Sequence, residues 1–446
     1  MRPVPARPLV RLGAGALAVA GLLLAGAPAP ASAAESDQLW INATYEKTLV
    51  AGSSTGAPVE IGLYHDNDHF GVTDGRLTVD ISGIAGVGEV TWPSNCVPSG
   101  TTAVCDVAEV PSIGVYDAPQ VRLEIRAADG AEVGAQGEVT YAATATGGPD
   151  GTLRAPVETT TLTVGSGPDL VLGGLRPVED VAPGTEAVVP LTVTNEGNEP
   201  AQGFTLGMVA SYGLSYGSRY DACAYTQTGD EDYAPSSHAQ CTFGQVLQPG
   251  DSFTLPEPLR IAAAGHALAE RLDIQVEPGG GATDIETRDN YGIVAVTADS
   301  TADFSVRGTK VSGAVGDTVS AALTFRNKGP GWLGNLGSGD PVALVDFTVP
   351  EGVTVTGAPS ACSPRTLSGG YYPERLGAPR YSCSMPYWVL EDTVRTFRFS
   401  LRVDTVVPDA KGRVALKPVI SGVGFPYDPK PGNNKGWVTV NPTPAA

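Results

Sequence analysis

The chain has 446 residues and a formal net charge of −20, too long for one hydrophobic core and of the wrong sign to neutralise a phosphate backbone. Apolar residues make up 42%, which excludes a disordered tail, and 56 Gly with 37 Pro punctuate short segments rather than long helices. The acidity also argues against adhesion to anionic membranes and favours a chain that resists self-association.

Residues 1–34 read as a signal peptide. Arg2, Arg7 and Arg11 form a positive segment, residues 12–27 a short apolar one, and Ala31-Ser32-Ala33 a small-x-small cleavage box. The leader's charges are all Arg, so the mature chain is more acidic still. No paired arginines precede the apolar stretch, which points to general secretion. No later segment has the ~20 apolar residues of a spanning helix. The expected location is extracellular, either released or held non-covalently at a cell wall, since the chain closes on Asn441-Pro-Thr-Pro-Ala-Ala without a sorting motif. The surplus of Arg over Lys, with abundant Ala, Gly and Pro, suggests a bacterial gene.

Past the leader, one unit is written three times with a period of about 130 residues. Its openers are Ser36-Asp37-Gln38-Leu39, Pro168-Asp169-Leu170 and Ala302-Asp303-Phe304. Each is followed by a glycine turn and an alternating strand: Val189, Leu191 and Val193 share a face in copy two, and Val319, Ala321, Leu323 and Phe325 in copy three. The strand stops at Asn195-Glu-Gly197 and Asn327-Lys-Gly329, where positive φ would suit a reversal. Copy one has His65-Asp66-Asn67-Asp68-His69 instead. Further alternating strands carry Val121, Leu123 and Ile125, then Leu272, Ile274 and Val276, then Phe397, Phe399, Leu401 and Val403. Helical spacing is confined to a possible turn at 262–272. Many short strands with Gly and Pro turns predict an all-β chain of three tandem immunoglobulin-like sandwiches at 35–165, 166–299 and 300–446.

The six cysteines fall two per copy: Cys96 and Cys105, Cys223 and Cys241, Cys362 and Cys383. Six allow fifteen pairings. Pairing inside each copy alone leaves every unit self-contained, and an exported chain permits it. Zinc is disfavoured, because no pair has C-x₂₋₄-C spacing with a histidine pair nearby.

The order of motifs carries a resemblance. Copy three has Val349-Pro-Glu-Gly-Val before Cys362 and Asp428-Pro-Lys-Pro-Gly-Asn-Asn434 before its last strand, and copy two has Cys241-Thr-Phe-Gly-Gln-Val-Leu-Gln-Pro-Gly250. Together they resemble the extracellular bacterial repeat called domain of unknown function eleven. The resemblance implies an immunoglobulin-like fold in a surface or secreted setting, and no active site.

Candidate chemistry is sparse. His65, Asp66, Asp68 and His69 are the local cluster with metal-ligand types, although a five-residue turn aims them poorly at one point. For calcium, residues 228–233, with Asp230 and Asp232, and 283–290 gather carboxylates, but neither fits an EF-hand pattern. The reading is therefore no resident cofactor, with calcium as the alternative. No G-x-S-x-G elbow or G-K-[ST] loop is present. Tyr212, Tyr216, Tyr220, Tyr225, Tyr371, Tyr372 and Tyr381 crowd two loops that suit recognition, or else pack over disulfides. The expected function is a non-catalytic structural or adhesive module whose partner is a cell-wall component or surface protein. The alternatives are a glycan- or calcium-dependent binder and a cryptic extracellular hydrolase.

Overall fold

The computed structural model describes residues 36–113, 119–230, 233–419 and 424–443. The expected leader and Asp232 lie outside them. The described chain is all-β, and its single helical element is a 3-10 turn at Pro431–Asn433. Three hydrophobic cores follow one another: Leu39 to Val164, Leu170 to Val296, and Ala302 to Val440, the last joined by Leu268 from the stretch before it.

The first core lies between two sheets. One runs Leu39–Ala43, Ala57–His65, Val121–Ala127, Gly88–Thr91; the other runs Glu46–Val50, Glu158–Gly165, Gln136–Thr146, Val72–Gly83, Thr102–Val110, Cys96–Ser99. Val121, Leu123 and Ile125 are buried between exposed or half-buried neighbours, so period-two patterning sets which face is covered. The opening chain crosses from one sheet to the other, and Glu46–Val50 pairs parallel to the last strand. Val178–Val181 and Lys310–Val311 repeat this parallel pairing against Tyr291–Ala298 and Lys435–Val440. These are immunoglobulin-like sandwiches.

Two expectations need correction. Val189, Leu191 and Val193 all face inward, but the strand is split into Glu186–Val189 and Thr192–Asn195, which belong to different sheets. Pro190 lies between them and has no N–H for a ladder; the corresponding strand Thr318–Asn327 lacks proline and is unbroken. The possible helical turn at 262–272 is instead the junction of strands Leu259–Ala263 and Ala269–Pro278.

The disulfides Cys96–Cys105, Cys223–Cys241 and Cys362–Cys383 each join residues directly opposite on a hairpin at the sheet edge. They tie an edge strand to its neighbour within one sheet.

Candidate functional site

The Asn-x-Gly motif forms the junctions. Asn195 is fully buried. Its Oδ1 accepts N–H bonds from Asp169 and Gly197, and its Nδ2 donates to Glu199 O and Leu247 O. Asn327 does the same with Gly329 N, Gly331 O and Leu390 O. The glycines are needed for close approach rather than for positive φ, which neither has. A Cβ on Gly197 would lie 2.3 Å from Gly167 O, and one on Gly329 would lie 2.5 Å from Asp303 N.

Strand register shows what replaces the motif in the first unit. Leu170 pairs with Asn195, Phe304 with Asn327, and Leu39 with His65. His65 therefore occupies the Asn position, and Gln38, not Asp37, corresponds to Asp169 and Asp303. His65 is 2% exposed, with Nδ1 3.0 Å from Asp37 Oδ2. Asp37 also accepts the Asp66 and Asn67 amides. Asp66 Oδ1 accepts from Gln38 N, while Asp68 and His69 point to solvent. Alternation and the turn thus spread the His65–His69 cluster over inside and outside, and it is not convergent. Asp230 accepts the Tyr233 amide across its own turn.

Convergence occurs elsewhere. Asp169, Asp284 and Asp289 bring carboxylate oxygens within 4.8 Å of one another, the one such group of three among the described residues. Asp169 is the opener of the second unit; Asp284 and Asp289 lie in the 283–290 loop before its last strand. Asp284 accepts from Leu170 N at 2.8 Å and from Glu286 N at 3.1 Å. Asp169 Oδ1 and Asp289 Oδ1 are buried without a hydrogen-bond partner. Burial, then repulsion from Asp289 and Asp284 and a hydrogen bond shared with the Asp284 carboxylate, pushes the Asp169 carboxyl up to about 8, with Lys47 opposing. Asp289 is pushed up to about 7, mainly by burial.

The third unit holds the same cradle with different contents. Asp303, Asp428, Asn433 and Asn434 occupy the places of Asp169, Asp284, Asp289 and Asn290, and Lys430 takes that of Glu286. Lys430 Nζ lies 3.2 Å from Asp303 Oδ2, and Asn433 Nδ2 2.7 Å from Asp303 Oδ1. Burial alone would raise the Asp303 carboxyl; Asn433 and Lys430 hold it below the usual range.

The acidic cradle faces the first unit. Lys47 Nζ reaches Glu286 Oε2 at 3.1 Å, Arg288 reaches Glu46 at 2.9 Å, and Asn198 Nδ2 donates to Ala51 O. The next junction is apolar at its centre. Trp332, three residues past Gly329, is fully buried, and its indole N–H donates to Glu270 of the second unit. Glu270 also accepts from Ser211 Oγ, Gly213 N and Leu268 N. Tyr212 stacks on His266 with centroids 4.1 Å apart, and its hydroxyl donates to Glu391.

The remaining tyrosines divide by burial. Tyr381 and Tyr220 are buried, with hydroxyls on Arg375 O and Glu257 O. Tyr216 donates to Ser237 O and lies against Tyr225, over which Arg219 is stacked. Tyr372 packs against the third core, whereas Tyr371 is 78% exposed. A cavity of about 320 Å³ beside the second junction is lined by Tyr233, His238, Arg271, Asp273, Trp332 and Tyr387. There His238 Nε2 is 2.9 Å from Ser236 Oγ, a pairing a hydrolase could use. The same nitrogen lies 2.8 Å from Thr228 Oγ1, and no carboxylate orients the ring as a triad requires. Ser236 also sits in a central strand between two neighbours, which commits its backbone to the ladder.

No family model matches the chain, and no curated protein matches it. Among solved structures, it is similar to Dpr2 Ig1-Ig2 in complex with DIP-Theta Ig1-Ig3, at 9% identity over 92% of this chain and 100% of that one, TM-score 0.25. A stretch of three titin immunoglobulin domains matches at 6% identity over 92% and 100%, TM-score 0.19. The C-terminal domain of the Streptococcus agalactiae AgI/II polypeptide BspA matches at 8% over 61% and 99%, TM-score 0.16. At these scores the likenesses carry no argument, and the fold rests on the strand pairing above.

Proposed function

We propose that the chain is an exported, non-catalytic structural or adhesive protein in which three sandwiches are held in a fixed series and display loops to a cell-wall component or surface protein. The observation that carries this reading is that both junctions are bonded side chain to side chain, through Trp332 on Glu270 and through Lys47 on Glu286. Fixed geometry lets separate loops engage one surface together, which raises avidity without new contacts. Three disulfides suit an oxidising compartment, and no helix among the described residues is long and apolar enough to cross a membrane. The test is retention of the mature protein on whole cells and isolated wall material. Retention supports the reading; failure to bind any surface overturns it.

A glycan-binding reading is favoured second by the cavity at Arg271, Asp273, Tyr233 and Tyr387, which combines aromatic faces with charged groups. Loss of retention in Tyr387→Ala with the fold intact would move the assignment there.

A further inference from the structure

We infer that the Asp169–Asp284–Asp289 cradle is a calcium site that joins the second sandwich to the first. Three observations converge. Oxygens spaced within 4.8 Å of one another fit around one ion, since calcium holds its ligands at about 2.3–2.6 Å and opposite ligands lie twice that apart. Asp169 is only 7% exposed, and its Oδ1 has no partner. A buried carboxylate oxygen left bare is costly unless a cation or a proton meets it, and three acids at one place compete for either.

The protein itself supplies the comparison. In the third sandwich the equivalent carboxylate, Asp303, is met by the Lys430 ammonium, and an amide, Asn433, replaces the third acid. In the second, Glu286 replaces that lysine and Asp289 replaces that amide. The change removes one positive charge and adds two negative ones around one cradle, of which Lys47 meets only Glu286. Lys47 and Arg288 are the nearby cations, but their hydrogen bonds go to Glu286 and Glu46. Asn290 Oδ1 is bare as well, but so is Asn434 Oδ1 in the lysine-filled cradle, so the weight falls on Asp169.

An all-oxygen donor set selects a hard divalent cation over zinc or copper. Water would complete the shell, because the protein offers fewer than the six to eight oxygens calcium takes. Magnesium demands a tighter octahedron than a cradle shared by an opener and a loop provides. Glu286 and Arg288 in that loop reach Lys47 and Glu46 of the first sandwich, so an ion that orders the loop also orders the junction. None of this depends on which surface the protein binds.

The experiment is calorimetric titration of chelator-stripped mature protein with calcium chloride, and separately with magnesium chloride, alongside thermal melts. One calcium per chain and a higher melting temperature in calcium are expected. Asp289→Asn should weaken calcium binding at least tenfold. Glu286→Lys combined with Asp289→Asn copies the third cradle; it should abolish the calcium response, and because it also removes the Lys47–Glu286 pair it should loosen the first junction in chelator and in calcium alike. That double variant keeps the test decisive if the single one misfolds. No calcium uptake at about 5 mM, above the range of extracellular calcium modules, overturns the site. Uptake unchanged in both variants, or uptake of magnesium alone, overturns it equally.

Discussion

Gly329 shows how a residue-level motif can be read correctly as a turn and wrongly as to its cause. Asn-Lys-Gly suggested positive φ; the structure instead needs a residue without Cβ because the opener Ala302-Asp303 lies against it. Gly329→Ala should therefore cost about 1–3 kcal/mol through overpacking, seen as a lower urea midpoint for the third unit. A neutral result would mean that the opener moves freely. The role of Asp37 was hidden for a related reason. Its position matched by counting, but register is set by hydrogen bonding, and a one-residue offset is invisible to spacing. Asp346 carries a pH prediction. Burial alone would raise its carboxyl, but hydrogen bonds from Lys417, Arg380 and Ser382 hold it below the ordinary value. A lowered folded pKa gives stability that is present above about pH 4, the unfolded value, and lost as pH falls through the folded one. Asp346→Asn should thus lower the urea midpoint at pH 7, and the gap from wild type should narrow as pH falls below about 4. An undiminished gap would show that the carboxylate charge is not what matters there.

At the scale of the element, alternation made most strands legible, because one covered face imposes period two on every strand that contributes to it. It failed where a single residue overrules the pattern, as Pro190 does by dividing one strand between two sheets. Cysteine pairing inside each copy was legible as well, since a hairpin brings its own two strands opposite. Which face of the hairpin they occupy was not. The loop-entropy argument ranks the three bridges. Their sequence separations are 9, 18 and 21, so replacing Cys362 and Cys383 together by Ala should cost ~0.7 kcal/mol more than replacing Cys96 and Cys105. Paired melts of the two double variants check the order, and a reversed order would place the effect in native packing. Pro330-Gly-Trp332 was not legible as a docking element. Nothing local distinguishes a tryptophan that fills its own core from one buried against a neighbouring unit, because its partner Glu270 lies 62 positions away. Trp332→Ala should cost about 3–5 kcal/mol and leave Glu270 short of a donor, so the second and third units should melt separately in calorimetry. A single unchanged transition would show that Trp332 does not couple them.

For the whole molecule, three cores and their order could be read from the repeat, but the junctions could not, since they are made by side chains from different copies. The acidic cradle shows the limit. Its loop at 283–290 stood out as carboxylate-rich, yet only folding sets Asp169, more than a hundred residues earlier, against Asp284 and Asp289. The two junctions also differ in physics. The one at Trp332 is buried around a hydrogen-bonded acid, with His266 and Glu391 at its rim, whereas the first rests on ion pairs, Arg288–Glu46 half exposed and Lys47–Glu286 mostly buried. Exposed ion pairs are worth little individually and are screened as the Debye length falls to about 3 Å near 1 M salt. Apolar contact does not weaken in the same way. Raising sodium chloride from low concentration towards 1 M, in chelator, should therefore weaken the first junction through Arg288–Glu46, with the better shielded Lys47–Glu286 pair less affected, and move the first sandwich's calorimetric transition away from that of the second and third. Calcium should oppose the separation, because an ion held by Asp169, Asp284 and Asp289 orders the loop from which Glu286 and Arg288 project. If salt instead separates the third unit first, the assignment of an ionic first junction and an apolar second one is reversed.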